Sequence, residues 1–319
     1  MKNGLFTISL DFELFWGVRD KRSIEEYGEQ IKKVHAVVPK LLDLFSRYDI
    51  HCTWATVGFL FNQDKNELLK HIPGTLPQYD NQSLDPYHYI RSEELDPIYH
   101  FASDLISQIH DTHGQEIATH TYSHFYTLEH GATLDAFEAD IAMAMAMAQE
   151  KNQQIQSIVF PRNQYSKAFT DICLRHGIKN FRGNENNWMY HSGNSEKQTY
   201  VKRFFRLLDA YVNISGHHLH EPVNENGMTN IPASRFLRAC SKYLSILQPL
   251  HINRIKNSMT RAAEQHKVFH LWWHPHNFGS HMNENLYMLE NILIHYTHLK
   301  EMSHMISLNM KEIASSHNQ

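Results

Sequence analysis

Short apolar runs alternate with longer amphipathic stretches along most of the chain. Residues 5–10, Leu-Phe-Thr-Ile-Ser-Leu, read as a buried strand that meets Asp11 at once. Ile31, Val34, Val38, Leu41, Leu42 and Phe45 then recur at helical spacing, which predicts one helix over residues 23–48 with Ser23 as its N-cap. Further strands are predicted over 51–57, 115–119, 157–160, 178–181, 228–231, 267–273 and 303–308. Helices are predicted between them, over 58–71, 94–113, 133–151, 167–176, 198–213, 236–265, 283–299 and 310–315, with Gly114 and Gly177 as two of the stops. Residues 72–96, rich in Pro, Asp and Tyr, form an insertion of a length usual for lids and binding loops.

This alternation argues for a parallel sheet, open or closed into a barrel. Asp11, His120, Arg162, Arg182 and His274 all lie at the C-terminal ends of predicted strands. In a barrel those ends converge on one face, where active sites are built. No internal repeat or low-complexity linker divides the chain, so an α/β barrel in a single domain over residues 1–319 is expected, with the insertion at 72–96 and a helical segment at 233–265.

Composition narrows the choice. The formal net charge of -4 argues against a generic nucleic-acid binder. Cys52, Cys173 and Cys240 are odd in number and far apart, so neither a disulfide framework nor a cysteine metal site is expected. No run reaches the roughly 18 apolar residues of a membrane span, and the first strand meets Asp11 too early for a signal peptide. A cytoplasmic protein is the expectation.

Histidine is abundant, at 25 residues, so only spacing can single any out. His120-Thr-Tyr-Ser-His124 places two imidazoles four residues apart, a spacing that on one helical turn points both at a single ion. Asp11-Phe-Glu13 supplies two carboxylates, of which either could be the third ligand while its neighbour takes a proton from water. Arg182, Asn184, Glu185 and Trp188 form a polar-aromatic cluster at a strand end, and Trp16, Trp188, Trp272 and Trp273 are candidates to stack on sugar rings. Arg235, Arg238, Lys242, Arg254, Lys256 and Arg261 fit either a solvated helix face or a phosphate-bearing substrate. His217, His218 and His220 lack ligand spacing and are expected at the surface.

Asp11-Phe-Glu13, His-Thr-Tyr-Ser-His, Phe-Pro-Arg-Asn and Leu-Trp-Trp-His-Pro-His occur in that order between residue 5 and about residue 280. In this the chain resembles the polysaccharide deacetylase, or NodB-homology, family. The resemblance implies a distorted (β/α) barrel of about seven parallel strands. It also implies a divalent metal, usually zinc, and metal-dependent removal of N-acetyl groups from sugars. By position it assigns Asp11 as base and Glu13, His120 and His124 as metal ligands; because the family pair is usually Asp-Asp, the first two roles stay exchangeable. Arg162 matches the arginine that orients the catalytic Asp, and His274 the general acid. Asn163, Arg182, Trp188 and His276 are the expected substrate contacts. The expected partner is an N-acetylated sugar, nucleotide- or lipid-linked, from surface-polysaccharide synthesis. Hydrolysis of a small amide or ureide, and glycan binding without turnover, are the competing expectations.

Overall fold

The computed structural model describes residues 2–191, 193–194 and 199–317. Its strands are β1 (Leu5–Phe12), β2 (Cys52–Thr56), β3 (Gln115–Thr119), β4 (Ser157–Ile158), β5 (Asn180–Phe181), β6 (Val223–Glu225), β7 (Met228–Asn230), β8 (Arg235–Phe236), β9 (Val268–Trp273) and β10 (Ile306–Ser307). Its α-helices are α1 (Ile24–Lys32), α2 (Val34–Tyr48), α3 (Lys65–Lys70), α4 (Pro86–Ser92), α5 (Pro97–His100), α6 (Ser103–Asp111), α7 (Leu134–Glu150), α8 (Lys167–Arg175), α9 (Tyr200–Asp209), α10 (Gln248–Gln265), α11 (Met282–Ser303) and α12 (Met310–His317).

The sheet runs β6-β7-β5-β4-β3-β2-β1-β9-β8, with β10 added beside β1; among the strands of the described residues only the β6–β7 pair is antiparallel, and one isolated bridge, His220–Val268, is antiparallel as well. Residues 228–236 touch both edges of the curl. Their first part pairs in parallel with β5 and their last part with β9. Between these, Ala233 N–H donates to Gly183 O and Ser234 N–H to His270 O. The result is the distorted α/β barrel that the pattern and the resemblance predict.

β1 explains why a polar site can sit inside. Phe6, Ile8, Leu10 and Phe12 enter the large apolar cluster under the helices, while Thr7, Ser9 and Asp11 are buried at the alternate positions. Each large apolar side chain so buried contributes about 1.5–3 kcal/mol, which lets the strand carry a carboxylate at its end.

Several expected elements differ. The helix read over 23–48 is two helices that meet at Lys33, with Gly28 in the first and Pro39 in the second weakening a continuous run. The helix read over 94–113 breaks at Phe101-Ala102. The segment 233–265 is not helical throughout: it opens with β8, and its α-helix covers only Gln248–Gln265. The insertion is packed rather than loose, burying Tyr79, Leu84, Tyr87 and Ile90. The helix predicted from 198 starts, among the described residues, at Tyr200. No helix among the described residues is long and apolar enough to cross a membrane.

Candidate active site and metal centre

The ends of β1, β3, β4, β5 and β9 open into one cavity of about 710 Å³, within the range of small-molecule sites. Asp11, Glu13, His120, His124, Arg162, Asn163, Trp272, His274 and His276 all line it.

Glu13 lies one residue past β1, and its carboxylate folds back over Gly17 so closely that a Cβ there would stand 1.9 Å from Oε1. Its Oε2 is 3.0 Å from His124 Nε2 and 3.4 Å from His120 Nε2. One ligand atom from each of the three residues lies within 4.8 Å of the others, and all three side chains are buried. His120 Nδ1 donates to Val159 O at 2.8 Å, because a carbonyl can only accept; the lone pair of that ring is therefore on Nε2, the nitrogen facing Glu13. This donor set fits a divalent cation. Burial works against the charge on Glu13, but His274, His120 and His124 outweigh it and hold the carboxyl well below its usual range. Burial pushes His124 down to about 4, so its ring is neutral as a ligand must be.

The two histidines do not share a helical turn. Residues 120–127 form an irregular loop in which Thr121 (φ 64) and His124 (φ 61) are left-handed. Such residues cost of order 1–3 kcal/mol each and persist only where their surroundings fix them. Here Gly58 N–H and Phe59 N–H donate to Thr121 O and Tyr122 O, and Thr121 Oγ1 accepts from Phe125 N–H at 2.7 Å. From α7, Asp140 accepts from Tyr122 N–H at 2.7 Å, from Ser123 N–H at 3.1 Å and from the Ser123 hydroxyl. Helical periodicity alone does not single out this carboxylate, although Asp140 falls in the buried stripe with Phe137, Ile141 and Ala144. Asp140→Asn leaves at least one of those buried donors unsatisfied, at a cost of about 1–3 kcal/mol. We expect it to weaken metal binding about 10–100-fold, read by competition with a chelator.

Asp11 is held by Arg182, not by Arg162. Arg182 Nη1 and Nη2 meet the two carboxylate oxygens at 2.7 and 2.8 Å, with both residues buried. Burial raises the Asp11 pKa, yet the Arg182 guanidinium beside it holds the carboxyl below the usual range. Arg182 also donates to Ser9 Oγ and Asn163 Oδ1, and its plane lies 4.2 Å from the Trp272 ring centre. Under Ser9, His270 Nδ1 donates to Ile231 O, so His270 Nε2 accepts the Ser9 hydroxyl at 2.8 Å. Arg182 is thus committed to the protein rather than to substrate. Arg162 sits in a turn of positive φ and pairs with Asp20 and Glu129.

His274 Nε2 lies 3.7 Å from Asp11 Oδ2 and 3.6 Å from Glu13 Oε1, and Asn277 Oδ1 is 3.3 Å from its Nδ1. His276 stacks on His274 with ring centres 5.0 Å apart and is driven down to about 3 by burial and by His274. Asn163 reaches the site as expected. Trp188 does not: it is half exposed against Phe205 and does not line the cavity. Trp16 and Trp273 are fully buried, leaving Trp272 as the tryptophan at the cavity wall. His217, His218 and His220 are half-buried and hydrogen-bonded rather than exposed. Of the basic set, Arg235 and Arg254 pair with the buried Asp209.

No family model matches the sequence, and no curated relative does. Solved structures match over nearly the whole chain. One is a presumed polysaccharide deacetylase from Mycobacterium smegmatis, at TM-score 0.61 and 12% identity, covering 98% of this chain and 90% of the other. Another is a GH57-type branching enzyme from Pyrococcus horikoshii, at TM-score 0.56 and 12% identity, covering 99% and 70%. A third is the α-amylase AmyC from Thermotoga maritima, at TM-score 0.55 and 9% identity, covering 98% and 74%. At these identities the likeness establishes the barrel fold.

Proposed function

We propose that this protein is a metal-dependent hydrolase that removes the N-acetyl group from a sugar. The observation that carries the reading is the buried Glu13–His120–His124 set next to an Asp11–Arg182 pair and His274 in one cavity. A divalent cation, zinc by its donor set of one carboxylate and two imidazoles, would polarise the acyl oxygen and lower the pKa of a water when bound there. Asp11, kept ionised by Arg182, is placed to take a proton from the attacking water. His274, between Asp11 and Glu13, is placed to hand a proton to the departing amine. Trp272, at the cavity wall, is the tryptophan placed to meet a sugar ring.

Two of the fold's relatives are named as glycoside-processing enzymes. Glycoside cleavage needs one carboxyl group kept protonated as the acid. Asp11 and Glu13 are both held below their usual range, whereas burial pushes the cavity's Glu185 up, so new reducing ends are read alongside acetate. Acetate release from a panel of N-acetyl sugars, with and without chelator, tests the proposal. We expect acetate that disappears on metal removal and returns on adding zinc. Ammonia release would point to an amide or ureide substrate, new reducing ends to a glycosidase, and binding without product to a glycan receptor; each would overturn the proposal.

A further inference from the structure

The chain as a whole is acidic, with 34 carboxylate and 30 basic residues, yet the mouth of the cavity is basic. Lys21, Arg22, Arg203, Arg206 and Arg238 line it. They arrive from three separate places: the turn before α1, one face of α9 (where Arg203 and Arg206 are three residues apart), and the chain just after β8. Such convergence is not a property of one solvated helix.

The carboxylates of the cavity are engaged deeper in. Asp11 faces Arg182, Glu13 faces the histidines, and Glu185 is buried. Among the described residues, neither Arg203 nor Arg238 has a carboxylate within ion-pair distance, and Lys21 and Arg22 reach Asp20 and Glu26 only at 4.0 Å. Lys21 is pushed below its usual pKa by burial and by Arg162, with Arg203 adding to the effect, so these cations crowd one another. Gathering like charges is unfavourable unless an anion shares the space. The cavity is also roomier than one sugar ring needs, running from the metal set to this rim.

We propose that the rim is an anion subsite and that the substrate is an N-acetylated sugar carrying a phosphodiester or pyrophosphate. The sugar half of this rests on the deacetylase reading; the anion subsite does not. In the reaction water adds to the acetyl carbon, the C–N bond breaks, acetate leaves and the amine keeps the proton, while the phosphate is untouched and serves as a handle. Arginine is suited to that handle because its planar fork meets phosphate oxygens in pairs. Two carriers share the chemistry: a nucleoside diphosphate and a polyprenyl pyrophosphate. The exposed Tyr200, Val201 and Phe204 on α9 make the second worth an arm of its own.

The test pairs binding with turnover on the metal-loaded protein. Calorimetry with inorganic pyrophosphate is run on wild type, Arg203→Gln and Arg238→Gln, with thermal melts to show that each variant folds. Acetate release is then measured from free GlcNAc, GlcNAc 1-phosphate, UDP-GlcNAc and polyprenyl-pyrophosphate-linked GlcNAc in detergent. We expect pyrophosphate to bind, each substitution to weaken it about tenfold, and kcat/KM to favour the phosphate-bearing sugars over free GlcNAc by at least about tenfold. Preference for the nucleotide or the lipid arm supports the subsite and separates its two sources. Pyrophosphate binding that ignores both arginines, or equal use of free and phosphorylated sugar, would overturn it. Arginine-dependent pyrophosphate binding with no acetate from any sugar would sink the deacetylase reading and leave the subsite standing.

Discussion

Asp11→Asn is expected to lower acetate release by about three orders of magnitude while metal stays bound at one ion per chain. The size follows from the role: the carboxylate paired with Arg182 and 3.7 Å from His274 is the one placed to accept the water proton, and an amide cannot accept it. Retention of metal follows from the geometry, because Glu13, not Asp11, approaches both imidazoles. The sequence alone leaves these two carboxylates exchangeable. Loss of metal and turnover together in Asp11→Asn would make Asp11 a ligand and reverse the assignment. Metal content by mass spectrometry, measured beside steady-state kinetics, reads both.

The second large effect is on Arg182. Its side chain has no solvent exposure, and removing it strands the buried Asp11 carboxylate. Breaking such a pair costs about 3–5 kcal/mol. For a chain of this size that lowers the melting midpoint by about 5–8 °C. Activity should fall as well, since Asp11 loses the charge that keeps it ionised. Arg162→Ala is the contrast: its partners are Asp20 and Glu129, so Asp11 keeps its guanidinium and turnover should fall less. A larger loss of turnover in the Arg162 variant would restore the role that the family resemblance gave it.

Much of this site is legible in the chain because strand ends are. Asp11 and His274 each follow an apolar run and His120 directly follows the strand Gln115–Thr119, and the barrel brings those ends together. The pair His120 and His124 meet as the spacing suggests, but through a left-handed loop clamped from Gly58 and Asp140, which periodicity cannot show. The exchange of Arg162 for Arg182 has a local cause. Arg182 directly follows β5, whereas Arg162 follows Pro161 in a positive-φ turn that leads to Asp20. Lone polar residues in apolar settings carried signal that spacing arguments passed over: Ser9 in β1, His270 in β9 and Asp140 in α7 all support the site. The short strand β8 escaped notice because two residues are too few to set a period, and it delivers Arg235 and Arg238.

Anomalous diffraction at the zinc edge, on crystals of protein purified without chelator, locates the ion. We expect one peak within bonding distance of a Glu13 oxygen, His120 Nε2 and His124 Nε2, with Asp11 still paired to Arg182. A peak only at the exposed Asp49–His51–His113 group, or none from zinc or any other divalent ion, would contradict it.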